Sequence, residues 1–156
     1  MKPLSLVTLL FLVTSGCAHY TPYTAPQLAA KGTHPARGQS VASTVEAAAV
    51  SLTTLGYRIT VKDTERGIVK TSARPIMTSA TTSGGQYSAS SEVVEDGLAW
   101  ALLVEADGSG AVVHATPRGF RNGSELHDEG MWVAEVMDAK FNDLWAELDS
   151  TLGVKR

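Results

Sequence analysis

The residues able to do chemistry are few and scattered. Cys17 is the chain's single cysteine, and His19, His34, His114 and His127 are its four histidines. A cysteine nucleophile needs a positioned base, and Cys17 stands instead where a short apolar run ends. His127-Asp128-Glu129, with Glu125 nearby, is the one stretch rich in metal-ligand types. Neighbouring loop residues seldom converge on one point, so it reads as an acidic loop before a helix, with no metal. His114 lies between Val113 and Ala115 and reads as a structural strand histidine. Trp100, Trp132 and Trp145 each sit near an apolar stripe, as core residues or as the wall of a groove. Trp100 and Trp145 are the candidates for contact with a small apolar ligand. No G-x-S-x-G elbow, G-x-x-x-x-G-K loop or G-x-G-x-x-G turn occurs. The expectation is a protein with no catalytic residues and no cofactor.

The N-terminus carries the clearest pattern. Lys2 precedes an apolar run from Leu4 to Val13 that only Ser5 and Thr8 interrupt, and Thr14-Ser15-Gly16 lead into Cys17. Ten helical residues span about 15 Å, half of the ~30 Å hydrocarbon core, so the run is too short to cross a bilayer. A positive start, a short apolar stretch and then small residues make a secretory signal. Ending at a cysteine, it resembles the bacterial lipoprotein signal. The resemblance implies cleavage after Gly16 and acylation of Cys17, although Thr14 stands where the family prefers leucine. It also implies the outer membrane, because Ala18 occupies the place where an aspartate marks retention at the inner membrane. Two or more acyl chains anchor a protein stably without a spanning helix. The anchored body would then face the periplasm.

The whole chain has 156 residues, a formal charge of −3, a pI near 5.8 and a mean hydropathy of +0.01. That is room for one domain. The acidic balance excludes non-specific nucleic-acid binding, which needs a basic patch. One cysteine excludes a disulfide framework. Residues 1–16 are read as signal peptide, 17–39 as lipidated cysteine and flexible tether, and 40–156 as a single domain. The tether reading rests on Pro22, Pro26, Pro35, Gly32 and Gly38 in a stretch without apolar periodicity. Fully extended, Ala18 to Gln39 would reach about 70 Å.

From Ser40 the chain is patterned. Ser43 and Glu46 form an S-x-x-E capping box, with Ser40 a possible earlier cap. Val41, Val45, Ala48, Leu52 and Leu55 then make one helical stripe that Gly56 ends. Tyr57 to Lys62 and Ile68 to Ala73 alternate as two strands around the turn residues 63–67. Ile76 to Ser91 is half Ser and Thr, with Gly84-Gly85 in its middle. It predicts a mobile loop with a little edge strand, the alternative being a weak hairpin turning at the glycines. Gly97 to Glu105 is apolar on both faces, as in a strand covered on each side. Ala111 to Thr116 returns antiparallel and stops at Pro117, followed by a polar loop over 118–129 in which Asn122-Gly123 turns. Met131 to Leu152 is a long helix with Val133, Met137, Phe141, Leu144, Leu148 and Leu152 on one stripe.

The expected fold class is α+β. A two-layer sandwich sets an antiparallel sheet of about four strands against an N-terminal and a long C-terminal helix. The run Leu55-Gly56-Tyr57-Arg58-Ile59, then Asp63, then Gly67-Ile68-Val69-Lys70-Thr71, is similar to segments of small envelope lipoproteins, in particular the helix-grip domain of BamC (NlpB). That resemblance implies a helix clasped by a curved sheet, and a non-catalytic module that docks on another envelope protein. Binding of a small apolar ligand or lipid between helix and sheet is the alternative.

Overall fold

The computed structural model describes residues 23–85, 88–126 and 134–154. Two short elements come first: helix α1, Ala25–Lys31, and strand β1, Thr33–Arg37. Helix α2, Val41–Thr54, leads into β2, Ile59–Asp63, and β3, Ile68–Thr71. A long hairpin follows, β4 at Arg74–Gly85 and β5 at Ser88–Asp107. Strand β6, Gly110–Arg121, and the three-residue β7, Ser124–Leu126, precede helix α3, Ala134–Thr151. Every strand pairing is antiparallel, in the order β1-β6-β5-β3-β2, with β4 beside β5 and β7 beside β6.

The α+β class and the antiparallel sheet hold, but among the described residues the sheet has seven strands rather than about four. Three stretches account for the difference. Residues 25–37, rich in Pro and Gly, form α1 and β1 instead of tether. Pro26 falls in the first turn of α1, where its missing N–H is no loss. Pro35 falls on an edge strand, which tolerates it for the same reason. Residues 76–91, expected as a loop, lie in the β4–β5 hairpin, with residues 86 and 87 at its turn outside the described ones.

The third stretch is the continuation of β6 through Pro117 to Arg121. On the side of β6 away from β5, β1 covers residues 110–114 and β7 covers 119–121. The Ala115 N–H points to that side, donating to the Gly32 carbonyl oxygen at 2.7 Å. Two residues on, Pro117 presents its absent N–H to the gap between β1 and β7. A proline that breaks most central strands is therefore harmless here. Asn122 and Gly123, at φ 49° and 80°, make the two-residue turn into β7.

Helix α2 begins one turn before the S-x-x-E pattern. Ser40 is its N-cap, with Oγ accepting from Ser43 N–H at 3.1 Å, and the Glu46 carboxylate goes instead to Lys62 Nζ on β2. At the other end Tyr57 N–H donates to Leu52 O and Gly56 N–H to Thr53 O, with Gly56 at φ 83°. This pair of hydrogen bonds closes a helix only where a left-handed residue is allowed. Arg74 donates to the Leu55 carbonyl oxygen and lies 5.6 Å from the Tyr57 ring centre, a cation at the negative helix end.

The core lies on one face of the sheet. Leu98, Trp100, Leu102 and Val104 of β5 point to it, joined by Val69 of β3 and Ala111, Val113 and Ala115 of β6. Val45, Ala48 and Leu52 of α2 and Met137, Phe141, Leu144 and Leu148 of α3 cover them. The middle of each expected stripe is thus buried, while Val41, Leu55 and Leu152 at the ends are half-buried and Val133 lies outside the described residues. Gly67 is forced by packing, since a Cβ there would lie 2.0 Å from the Val104 carbonyl oxygen.

Between β3 and β4 the strand breaks, and Thr71 repairs the ladder. Its buried hydroxyl accepts the Trp100 backbone N–H at 2.9 Å. Thr71→Val keeps the shape and removes the acceptor, leaving a buried N–H unsatisfied. It is expected to destabilise the fold by about 1–3 kcal/mol in urea denaturation. Thr71→Ser keeps the acceptor and is expected to cost about 1 kcal/mol or less.

Candidate functional site

The N-terminal segment is bound to the domain by a clasp on α3. The Lys31 ammonium lies 2.8 Å from Asp138 Oδ1, and the Tyr23 hydroxyl donates to the same carboxylate. One turn past Phe141, Trp145 Nε1 donates to the Lys31 carbonyl oxygen at 3.0 Å. Another turn on, Asp149 Oδ1 lies 2.7 Å from His34 Nε2. The His34 ring stacks on Trp145, with centres 4.8 Å apart and planes 8° from parallel. Positions 138, 145 and 149 share one helix face by their spacing of seven and four. β1 adds backbone pairing to β6 on the other side. Hydrogen bonds from Lys31 and then Tyr23 hold the Asp138 carboxyl below the usual carboxylate range.

The two tryptophans proposed for ligand contact belong to a packed aromatic row. Tyr57 meets Trp100 edge-on at 6.5 Å, Trp100 meets Phe141 edge-on at 5.3 Å, and Phe141 stacks on Trp145 at 6.2 Å. Trp100 is fully buried, and Trp145 is closed over by His34. The row fills space between sheet and α3 that a ligand would need. Trp100 Nε1 is buried without a well-formed hydrogen bond, and its closest polar influence is on the Tyr57 hydroxyl. Burial pushes the Tyr57 pKa up, against that indole N–H and the Arg74 charge, which both lower it.

His114 stands on the outer face of the sheet between Thr33 and Glu105. Its Nδ1 is 3.2 Å from Thr33 Oγ1 and its Nε2 is 3.5 Å from Glu105 Oε2. The order hydroxyl, imidazole, carboxylate resembles a nucleophile relay, but the hydroxyl proton is committed elsewhere. Thr33 Oγ1 donates it to the Ala29 carbonyl oxygen at 2.8 Å, so the imidazole has no proton to remove. The group ties α1, β1, β6 and β5 together. Asp96 holds Arg121 through bonds of 2.8 and 3.2 Å. Among the described residues no three His, Cys, Asp or Glu side chains group as a metal site. Cys17, His19, Trp132 and the His127-Asp128-Glu129 cluster lie outside the described residues.

Two of the open surfaces among the described residues bear on ligand binding. A groove of about 390 Å³ runs between α2 and β2, lined by Glu46, Ala49, Val50, Thr53, Ile59 and Lys62 among others. On the face without helices, Ile68, Lys70, Ala101, Leu103, His114 and Thr116 border a shallow hollow of about 280 Å³. Neither tryptophan lines either surface. The clasp was the part that sequence reasoning missed, and its signal was the spacing of Asp138, Trp145 and Asp149 on the polar side of α3.

Asp138→Asn removes the charge that Lys31 and Tyr23 share. Amide exchange over residues 28–37 is expected to quicken while that of β5 stays slow. Because the Asp138 pKa is lowered in the fold, the stability it lends is complete above the ordinary carboxylate range and declines as pH falls through and below it. Protection of β1, taken relative to the intrinsic exchange rate at each pH, should therefore fall on acidification more in the wild type than in the variant. No protein-family model matches the chain, and no curated protein matches it.

Proposed function

We propose that this chain is an outer-membrane lipoprotein, anchored through acyl chains on Cys17, that acts as a non-catalytic docking or assembly module for an envelope protein. The observation that carries the reading is Cys17, the chain's one cysteine, directly after a short apolar run and small residues. The described chain begins at Tyr23, six residues on. Six residues reach about 20 Å at most, so the domain sits against the headgroups rather than at the end of a long leash. No helix among the described residues is long and apolar enough to cross a membrane. The finer reading of the fold is helix-grip-like, with α3 as the clasped helix.

The test is chemical and cellular. In its own host the wild-type protein is expected in the membrane fraction, released by detergent, with a mature N-terminal peptide whose mass includes acyl chains on Cys17. Cys17→Ser is expected in the aqueous fraction. An unmodified Cys17 in the mature wild type, or wild-type protein that washes free without detergent, would overturn the anchor. Crosslinking in intact cells is expected to trap an envelope protein.

A second reading, a small apolar ligand, draws on the groove between α2 and β2, whose volume lies within the range of ligand pockets. Val50→Glu would place a charge in it. If lipid co-purifies with the wild type and is lost from this variant, the ligand reading gains over docking.

A further inference from the structure

A sheet edge carries a row of unpaired N–H and C=O groups, and soluble proteins normally guard such edges against other strands. Three of the four edges here are guarded. β1 is five residues long and carries Pro35, and β7 has three residues. β2 is broken by a bulge between Ile59 and Val61 and carries Lys62. β4 is different. From Met77 to Gly85 it pairs with β5 in unbroken register, and among the described residues no strand covers its other side. No charged residue occurs anywhere from Pro75 to Ser91.

This edge belongs to an arm. β6 leaves β5 at Asp96, and Asn122 seals the next position by hydrogen bonds to the Glu95 N–H and carbonyl, each 2.9 Å. Beyond that point β4 and β5 continue alone for about 25 Å. A two-stranded ribbon is at best marginally stable in water, and three or more strands are needed. The apolar Val93 is 60% exposed on the arm and Met77 is 54% exposed at its root. The arm lacks a third strand, and nothing in its charge repels a copy of itself.

We infer that β4 pairs antiparallel with β4 of a second copy of this chain, making a four-stranded ribbon β5-β4-β4-β5 about a two-fold axis at Thr81. Around that axis the two copies set small and hydroxyl-bearing residues against one another. Ser79 falls opposite the second copy's Ser83, Ala80 opposite Thr82, and Thr78 opposite Gly84. From Thr78 to Gly84 every opposed pair is small or hydroxyl-bearing, and Met77 falls opposite the second copy's Gly85, so no charge meets a charge and no two bulky residues meet. A two-fold arrangement uses the same surface on both chains and closes on itself, which prevents growth into a filament. The inference is independent of the lipid anchor, and a monomer would leave that reading untouched.

Charge placed at the two-fold-related pair tests it. The full chain, purified in detergent, is expected to sediment at twice the protein mass of one chain. Ser79→Lys with Ser83→Lys sets lysine opposite lysine twice and is expected to give monomers, as is Ser79→Glu with Ser83→Glu. Mixing those two double variants should restore a dimer, and Ser79→Lys with Ser83→Glu should dimerise on its own. Residues 79 and 83 oppose Val94 and Ser90 within the chain, so none of these changes meets a charge there. Unchanged circular dichroism and Tm establish that each variant is folded. A monomeric wild type overturns the proposal. So does a dimer that survives the lysine pair, or a folded pair of variants that does not recombine on mixing.

Discussion

Trp100 has to be kept dry, and much of the architecture is arranged around doing so. It lies at the centre of β5, opposite Pro117 on one side and Thr71 on the other, with Tyr57 and Phe141 closing over the ring. Burying a tryptophan side chain contributes about 2–3 kcal/mol or more, but only if its neighbours leave no wet gap. Phe141 extends the cover to Trp145, and Trp145 in turn is covered by His34. The N-terminal segment is thereby the last layer of the core. Its removal would uncover Trp145 and leave the edge of β6 unpaired from 110 to 114.

The parts legible in the sequence are those where one face is apolar at a regular period. The stripes of α2 and α3, the hairpin around residues 63–67 and the apolar face of β5 are of this kind, and Gly56 marked its helix end correctly. The capping box at Ser43 was a good motif in the wrong place. Ser40 supplies the cap one turn earlier, which frees Glu46 to reach across to β2. Local pattern alone cannot decide between two serines three residues apart when the deciding partner, Lys62, is sixteen residues away.

The parts that were hidden lack such periodicity because tertiary contacts supply their stability. α1 buries none of its seven residues, and β1 buries only Ala36. Their order comes from Trp145, Asp138 and Asp149, more than a hundred residues along the chain. The expectation that β5 is covered on both faces holds only in part on its outer side, where Ala99 is buried and Ala101 half-buried but Leu103 is exposed. Ala99 and Ala101 are too small to need a layer of helices, and Arg118, directly opposite Ala99, is held there by Glu125. The candidate tryptophans were correctly seen as large and apolar. Only the aromatic row between them reveals that the space is already filled.

A docked N-terminus changes what a lipid anchor does. On the anchoring we propose, a 22-residue tether would let the domain sweep a wide volume and present any face to its surroundings. With the chain fixed from Tyr23 onward, only about 20 Å of covalent length separates the acyl group from the body. Translational and rotational freedom is then lost at the membrane rather than at the moment of binding, and that loss opposes most associations by several kcal/mol. A partner held in the same bilayer meets a surface that is already at the right height and confined in orientation. On that proposed anchoring, the clasp at Asp138, Trp145 and Asp149 is the element that would turn an anchor into a mount. Its grip, more than the chemistry of any single surface, sets how strongly a weak strand edge or shallow hollow can engage.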